Sequence, residues 1–192
     1  MLKSKPVVID IEGFKHKNGE FIVKELSVCS NYTDTILFLP PVDLQDLSIG
    51  KCHLYQWVCR FLHGLYWHRG EYSYPFIYQF FQSIVLRFPN GKFYAKGVQK
   101  CTVLSKFLQL PVTNLEDLGC PKIELLGGQF PHCNRHSKLL PAFMRDSHCA
   151  QRKAQIFHHW LVNIYGAIDS AEINGIEDSN IRRFECMSLA KL

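Results

Sequence analysis

The sequence predicts an α/β domain built on a mixed five-stranded sheet that is flanked by helices. Three extended patterns come first in the chain, and helical and extended patterns then alternate. Strands first, followed by alternating helices and strands, indicate a mixed sheet covered by helices. The chain has 192 residues, of which 47% are hydrophobic, so it can bury the core of one domain of this kind.

The first three strands are expected to pair antiparallel within the first forty or so residues. The predicted strands are 7–13, 21–29 and 35–39. A short turn around Asn18 and Gly19 joins the first two as a hairpin. Pro40 and Pro41 end the third strand, because proline cannot continue a central strand.

The rest of the chain alternates helices and strands. The predicted elements are helices at about 51–63 and 74–88, a strand at 93–98, a helix at 99–109, a strand at 110–115 and a last helix at about 149–165. Gly64 breaks the pattern between the first two helices. The last helix carries apolar residues at helical spacing, so it should pack on the sheet. We assign residues 1–168 to one domain and the polar segment 169–192 to a C-terminal tail.

Two acids, Asp10 and Glu12, lie in the first predicted strand. Because side chains alternate along a strand, residues two apart share one face. Two carboxylates on one face are the beginning of an oxygen-ligand site for Mg²⁺ or Mn²⁺. The competing interpretation is a solvated strand edge, which a pair of this kind marks more often than a metal site.

The order of these parts resembles the DEDD 3′–5′ exonucleases of the RNase H-like superfamily over about residues 6–165. Asp10 and Glu12 match the family's first motif, and residues 63–66 resemble the segment ahead of the helix that precedes its second motif. His148 opens a stretch that resembles the last motif, in which a histidine is followed five residues later by an aspartate. The resemblance implies an RNase H-like fold in which these acids and His148 are the remaining catalytic residues.

Two of the acids that this family needs are missing. Only Gln99 or Cys101 stands at the plausible positions of the second motif, and Lys153 replaces the last aspartate. Two-metal hydrolysis needs about four carboxylates to hold two cations. We therefore expect a catalytically degenerate domain in which Lys153 pairs with Asp10 or Glu12.

The alternative is a divergent but active metal-dependent 3′–5′ exonuclease or ribonuclease that uses Mg²⁺ or Mn²⁺. This alternative requires another acid, such as Asp117 or Asp146, to complete the site. The positions of these acids relative to Asp10 decide between the two hypotheses.

A second group of residues predicts a structural zinc site in a loop. Cys133 and His136 form a C-x-x-H pair, whose spacing lets one turn supply two ligands to a tetrahedral metal. Cys149 opens the last helix and Cys120 follows the fifth strand, so a Cys₃His site for Zn²⁺ is expected. The alternatives to Cys120 as the fourth ligand are Glu116, His132 and His148. The competing interpretation is that some of these cysteines are ordinary buried thiols.

A zinc site together with missing nuclease acids resembles the Maelstrom domain, a member of the same superfamily in the piRNA pathway. The resemblance depends on the C-x-x-H pair and the later stretch 148–150. It implies a role in binding RNA or single-stranded nucleic acid, or a role as a protein-interaction module.

The charge pattern is compatible with nucleic acid as a partner. The net charge is +5. In the expected fold, the former active-site cleft should be flanked by the segments that contain Lys96, Lys100, Arg152 and Lys153. Such a cleft would hold single strands through their phosphates. A spread of lysines and arginines is also typical of an ordinary solvated surface.

The cysteines and the hydropathy indicate where the protein works. Eight cysteines at irregular spacing, without a signal-peptide pattern, favour a reducing compartment, the cytoplasm or the nucleus. No apolar run approaches the roughly 18 residues of a membrane span, so no membrane partner is expected.

Overall fold

The computed structural model describes residues 5–16, 20–127, 130, 133–136, 141 and 147–173. Its strands are β1 (Pro6–Lys15), β2 (Phe21–Cys29), β3 (Thr33–Leu37), β4 (Lys92–Ala95) and β5 (Val112–Asn114). Its helices are α1 (Ile49–Phe61), α2 (Ile77–Arg87), α3 (Val98–Leu108) and α4 (Ala150–Ile173). The predicted turn at Asn18 and Gly19 and most of the predicted tail lie outside the described residues.

The five strands form one sheet in the order β3-β2-β1-β4-β5, so β1 lies at its centre. β1 and β3 each pair antiparallel with β2, whereas β4 pairs parallel with β1 and β5. The helices that precede β4 and β5 provide the long connections that parallel pairing requires. The prediction of a mixed five-stranded sheet that begins with three antiparallel strands is confirmed.

One face of the sheet is apolar and is covered by α2 and α3. Val7, Ile9 and Ile11 of β1 pack there in one buried cluster with Phe81 of α2 and Leu104 of α3. These three residues alternate along β1, as expected for side chains that share one face of a strand. Each fully buried side chain of this kind stabilises the fold by roughly 1.5–3 kcal/mol.

The opposite face carries polar side chains beneath α4. The intervening residues of β1, among them Asp10 and Glu12, alternate onto this face, and Glu25 of β2 lies directly opposite Glu12. Val8 of β1 packs there with Phe157 of α4 in a second apolar cluster. Because α4 crosses this face, residues at the start of α4 are held over the acids.

A bulge follows Glu12 in the central hairpin. The pairing of β1 with β2 changes register between Glu12 and Gly13. A side chain at Gly13 would collide with the backbone carbonyl of Ile22, so the close approach of the two strands requires glycine there. Bulges of this kind redirect neighbouring side chains and are common beside functional sites.

The ends of β4 and α4 are among those that differ from the prediction. β4 ends at Ala95 rather than at residue 98, because Gly97 has a φ of 98° and turns the chain into α3. α4 continues to Ile173, so the domain boundary proposed at residue 168 lies inside a helix. No helix in the part of the chain that the structure describes combines the length and apolar character needed to cross a membrane.

Candidate metal centre and buried acid–lysine cluster

Asp10 and Glu12 project from the central strand into the space beneath α4. Both are buried, and Asp10 retains only 1% of its exposed area. Because β1 pairs on both sides, the two acids are not a solvated strand edge. Burial of two carboxylates is costly unless opposite charges or hydrogen-bond donors accompany them.

Two lysines, one from each of two helices, neutralise these acids. Nζ of Lys100 in α3 lies 2.8 Å and 2.9 Å from the two carboxylate oxygens of Asp10, and 3.2 Å from Oε1 of Glu12. Nζ of Lys153 in α4 lies 3.3 Å from Oδ2 of Asp10 and contacts Oε1 of Glu12. We call these four residues the acid–lysine cluster. Its formal charges cancel.

Glu12 and Lys153 remain charged against the effect of burial. Burial opposes the charged form of Glu12, but the two ammonium groups outweigh it and hold the pKa of Glu12 well below its usual range. Burial also opposes the charged form of Lys153, yet Asp10 and Glu12 raise its pKa. For Asp10, burial outweighs the attraction of the lysines and raises the pKa. Asp10 is therefore the first member of the cluster to protonate in acid.

The predicted pairing of Lys153 with Asp10 or Glu12 is present, and it involves both acids. Lys100 was expected to bind nucleic acid, and its pairing with the same acids was not predicted. Of the two positions considered for the second motif, Gln99 is exposed. Cys101 is buried with the apolar cluster on the opposite face of the sheet. Lys100 lies between them, in the first turn of α3 just after β4, and β4 is the neighbour of β1. The strand order therefore brings Lys100 beside Asp10.

Among the residues that the structure describes, no further acid joins Asp10 and Glu12 to complete a nuclease site. Asp117 is exposed in the short 3₁₀ helix Leu115–Leu118, and Asp146 lies outside the described residues. Glu25 is opposite Glu12, but its carboxylate is directed toward other partners.

Those partners form a buried group of four potential metal ligands: Glu25, Cys133, His136 and Cys149. Their ligand atoms all lie within 4.8 Å of one another, and all four residues are buried. Sγ of Cys133 is 3.0 Å from Oε1 of Glu25 and 3.8 Å from Sγ of Cys149. We call this group the metal centre. It can hold a metal ion, as the sequence predicted for three of its members.

Backbone and side-chain contacts orient the ligands. The backbone N–H of Ala150 donates to Oε2 of Glu25 at 2.8 Å, and the N–H of Cys133 donates to Sγ of Cys149 at 3.3 Å. Nδ1 of His136 bonds the backbone carbonyl of His63, which leaves Nε2 for the metal. That Nε2 is a buried atom without a hydrogen bond among the described residues. Outer contacts of this kind are typical of ligated histidines.

The surroundings of Cys149 favour its thiolate form. The contact with Cys133, and then the neighbouring His136, lower the pKa of Cys149 to about 5, although burial opposes this. The hydrogen bond with the Cys149 sulfur raises the pKa of Cys133. Since a thiolate is the form that binds metal, Cys149 is ready to coordinate at neutral pH.

Cys120 is not part of the metal centre, and Glu25 is the fourth member. Cys120 packs with Val8, Tyr94 and Leu115 in the apolar cluster under α4. It follows β5 at the edge of the sheet, and β1 and β4 separate that strand from β2. The position of Glu25 opposite Glu12 in the hairpin was the available signal, because the hairpin brings these residues onto one face.

Two of the three alternative fourth ligands, Glu116 and His148, are described by the structure and lie elsewhere. Glu116 is exposed, with a carboxylate oxygen 3.5 Å from Nζ of Lys96. His132 lies outside the described residues. His148 is half-buried beside the acid–lysine cluster, where burial lowers its pKa against the opposing charge of Glu12.

The lysines that were predicted to bind nucleic acid have partners inside the protein. Nζ of Lys96 donates to the carbonyl of Cys120 at 2.8 Å, and Lys100 and Lys153 neutralise the buried acids. Arg152 is half-buried in α4 and also has a partner. The charges of Lys100 and Lys153 are therefore balanced by the buried acids.

His63 lies between the metal centre and the acid–lysine cluster and was not predicted as a site residue. It is fully buried, and its Nδ1 accepts a hydrogen bond from the backbone N–H of Leu65 at 3.0 Å. Burial lowers the pKa of His63 to about 4, so the ring is neutral at pH 7. It packs edge-on against Phe14, with ring centroids 4.9 Å apart.

Comparison with known proteins adds no relative to these observations. No protein-family model matches the chain, and no curated protein shows significant sequence similarity to it.

Proposed function

We propose that the chain is a catalytically degenerate nuclease domain of the RNase H-like class, stabilised by a structural zinc ion, which works by binding rather than by hydrolysis. The observation that carries this proposal is the acid–lysine cluster. Lys100 and Lys153 place two ammonium groups on the acids that would otherwise be available to a divalent cation. The order of strands and helices and the position of Asp10 on the central strand support the assignment to this class.

An ammonium group can balance charge but cannot replace a catalytic metal. Two-metal hydrolysis requires cations about 3.5–4 Å apart that activate water and stabilise both reacting oxygens. Both carboxylate oxygens of Asp10 already accept from Lys100. The buried acids therefore pair with Lys100 and Lys153, and the described residues offer no ligand set for a metal pair beside them.

The spacing of the metal-centre ligands supports zinc. Two sulfurs bound at about 2.3 Å in a tetrahedral site lie about 3.8 Å apart, and Sγ of Cys133 is 3.8 Å from Sγ of Cys149. A nitrogen and an oxygen bound at about 2.0–2.1 Å lie about 3.3–3.4 Å apart, and Nε2 of His136 is 3.3 Å from Oε2 of Glu25. Four buried protein ligands leave no open position, which is typical of a structural site.

The absence of hydrolysis is tested directly. With Mg²⁺ or Mn²⁺, we expect the purified protein to degrade neither single-stranded RNA nor DNA, and the Asp10→Ala variant to behave like the wild type. Degradation that depends on the metal and disappears in Asp10→Ala would favour the alternative, an active 3′–5′ exonuclease or ribonuclease.

Single-stranded nucleic acid, RNA first, is the partner that we propose for the cleft. Because its lysines are largely neutralised, we expect weak binding whose log–log salt slope is roughly −0.7 per phosphate contacted. Arg152→Gln should reduce the affinity, whereas the matched control Lys106→Gln, an exposed position on α3, should not. Anisotropy titrations at low and moderate salt measure the salt slope and the affinity of each variant. Equal loss in the two variants would indicate a diffuse charge effect and no site in the cleft.

A further inference from the structure

The outer face of α1 exposes an unusual amount of apolar surface. Leu54 and Trp57 are 52% and 54% exposed, and Phe61 is 46% exposed. They stand at i, i+3 and i+7, so they line one side of the helix. The inner side of α1 is already occupied, because Tyr55 and Cys59 are buried in a cluster at the end of the central hairpin.

Exposed side chains on α1 surround a shallow hollow. The rings of Trp57 and Phe61 lie with their centroids 6.0 Å apart, and they border a shallow hollow of about 240 Å³. His53, Gln56 and Arg60 complete its lining. The guanidinium of Arg60 lies over the ring of Phe61, 5.3 Å from its centroid. Tryptophan and arginine together are the residues that most often dominate the energy of protein interfaces.

Charge selects the kind of partner. α1 contains no acidic residue, whereas Lys51 and Arg60 carry positive charge. Packing of α1 against α1 of a second copy would bring like charges together, with no acid in either helix to offset them. An acidic partner is therefore favoured over self-association.

The aliphatic side chain of Leu54 distinguishes a peptide from nucleic acid. Single strands stack on aromatic rings and pair their phosphates with cations. Leu54 offers neither interaction, but it would be covered by the apolar side of a helix laid along α1.

We propose that the outer face of α1 docks an acidic amphipathic helix of a partner protein, with Trp57 and Phe61 as the apolar anchors and Arg60 as the charge contact. This surface is separate from the metal centre and from the acid–lysine cluster. The proposal does not depend on the nucleic-acid role proposed for the cleft.

The test uses defined probes with the full chain. The first probe is a synthetic helical peptide with leucines at i, i+3, i+4 and i+7 and glutamates elsewhere. The second has lysine in place of every glutamate, and the third is an oligouridine strand. We expect the acidic peptide to bind at least about tenfold more tightly than the basic peptide.

Variants locate the contact. Trp57→Ala and Arg60→Glu should each weaken the acidic peptide by about tenfold or more. Leu86→Ala, at an 80% exposed position on α2, should leave binding unchanged. All three positions are largely exposed, so unchanged thermal melting will verify that the variants fold.

Several outcomes would overturn the proposal. One is that the acidic and basic peptides bind equally or not at all, and another is that Leu86→Ala loses as much affinity for the acidic peptide as Trp57→Ala does. A third is that the surface binds oligouridine through Trp57 and does not bind the peptide. A fourth is that the protein dimerises in a way that Trp57→Ala abolishes. Loss of nucleic-acid binding at the cleft alone would leave it intact.

Discussion

Chelation of the metal, or replacement of Cys133 by serine, should unfold the domain. The metal centre joins β2, the segment 133–136 and the start of α4 through four buried ligands. Zinc binding contributes roughly 10–16 kcal/mol in small zinc-dependent domains, whereas the total stability of a domain is about 5–15 kcal/mol. Even a fraction of the zinc term is comparable with the whole stability, so we expect loss of the cooperative melting transition near room temperature.

Two further variants test the ligand set itself. Elemental analysis should find one zinc per chain in the wild type, and Glu25→Gln should lower that content. Cys120→Ala should retain the zinc, because Cys120 packs in an apolar cluster away from the metal centre. A metal-free preparation with an unchanged melting temperature would exclude a structural role for the metal. Loss of zinc in Cys120→Ala with retention in Glu25→Gln would restore the Cys₃His assignment.

Replacement of Lys153 by methionine should cost about 3–5 kcal/mol, because it leaves buried carboxylates with too little positive charge. For a chain of this size that loss corresponds to a fall of roughly 6–20 °C in Tm. Lys106→Met is the matched control, since Lys106 is exposed at the end of α3. Thermal unfolding measured by circular dichroism compares the two. A fall of less than about 1 kcal/mol would mean that the cluster behaves like an exposed ion pair.

The double variant Lys100→Met with Lys153→Met tests the idea that the ammonium groups take the place of cations. Without them, Asp10 and Glu12 should attract a divalent ion, so millimolar Mn²⁺ should raise the Tm of the double variant and leave that of the wild type unchanged. If Mn²⁺ has no effect on the double variant, the two acids lack the geometry of a former metal site.

Much of the fold follows from local patterns in the sequence. Alternation in β1 and β2 and the prolines after β3 predict the antiparallel strands, because these signals involve neighbouring residues. The end of β4 was misplaced because a short extended run does not reveal where Gly97 turns the chain. The end of α4 was placed too early because polarity weakens the periodic signal near Ile173 without breaking the helix.

The site was harder to predict because it is assembled across the sheet. The spacing of Cys133 and His136 is local and identified two ligands correctly as members of the metal centre. Glu25 could be found only from the hairpin register, and Lys100 only from the pairing of β4 with β1. Cys120 was chosen by its type and its place after the fifth strand, but the strand order puts it at the β5 edge of the sheet, with β1 and β4 between it and β2. Residue identity predicts chemistry, but topology determines which residues meet.

Cys149 lies immediately before the first residue of α4, and Lys153 lies one turn later in that helix. The backbone N–H of Lys153 donates a hydrogen bond to the carbonyl of Cys149. A metal bound at the metal centre and the buried acids therefore both contact the same helical turn. The free energy of metal binding and the free energy of the acid–lysine contacts are thus thermodynamically linked. If zinc strengthens the contact of Lys153 with Asp10 and Glu12, that contact must strengthen zinc binding by the same factor. The affinity for zinc should consequently be lower in Lys153→Met, although Lys153 is not a ligand.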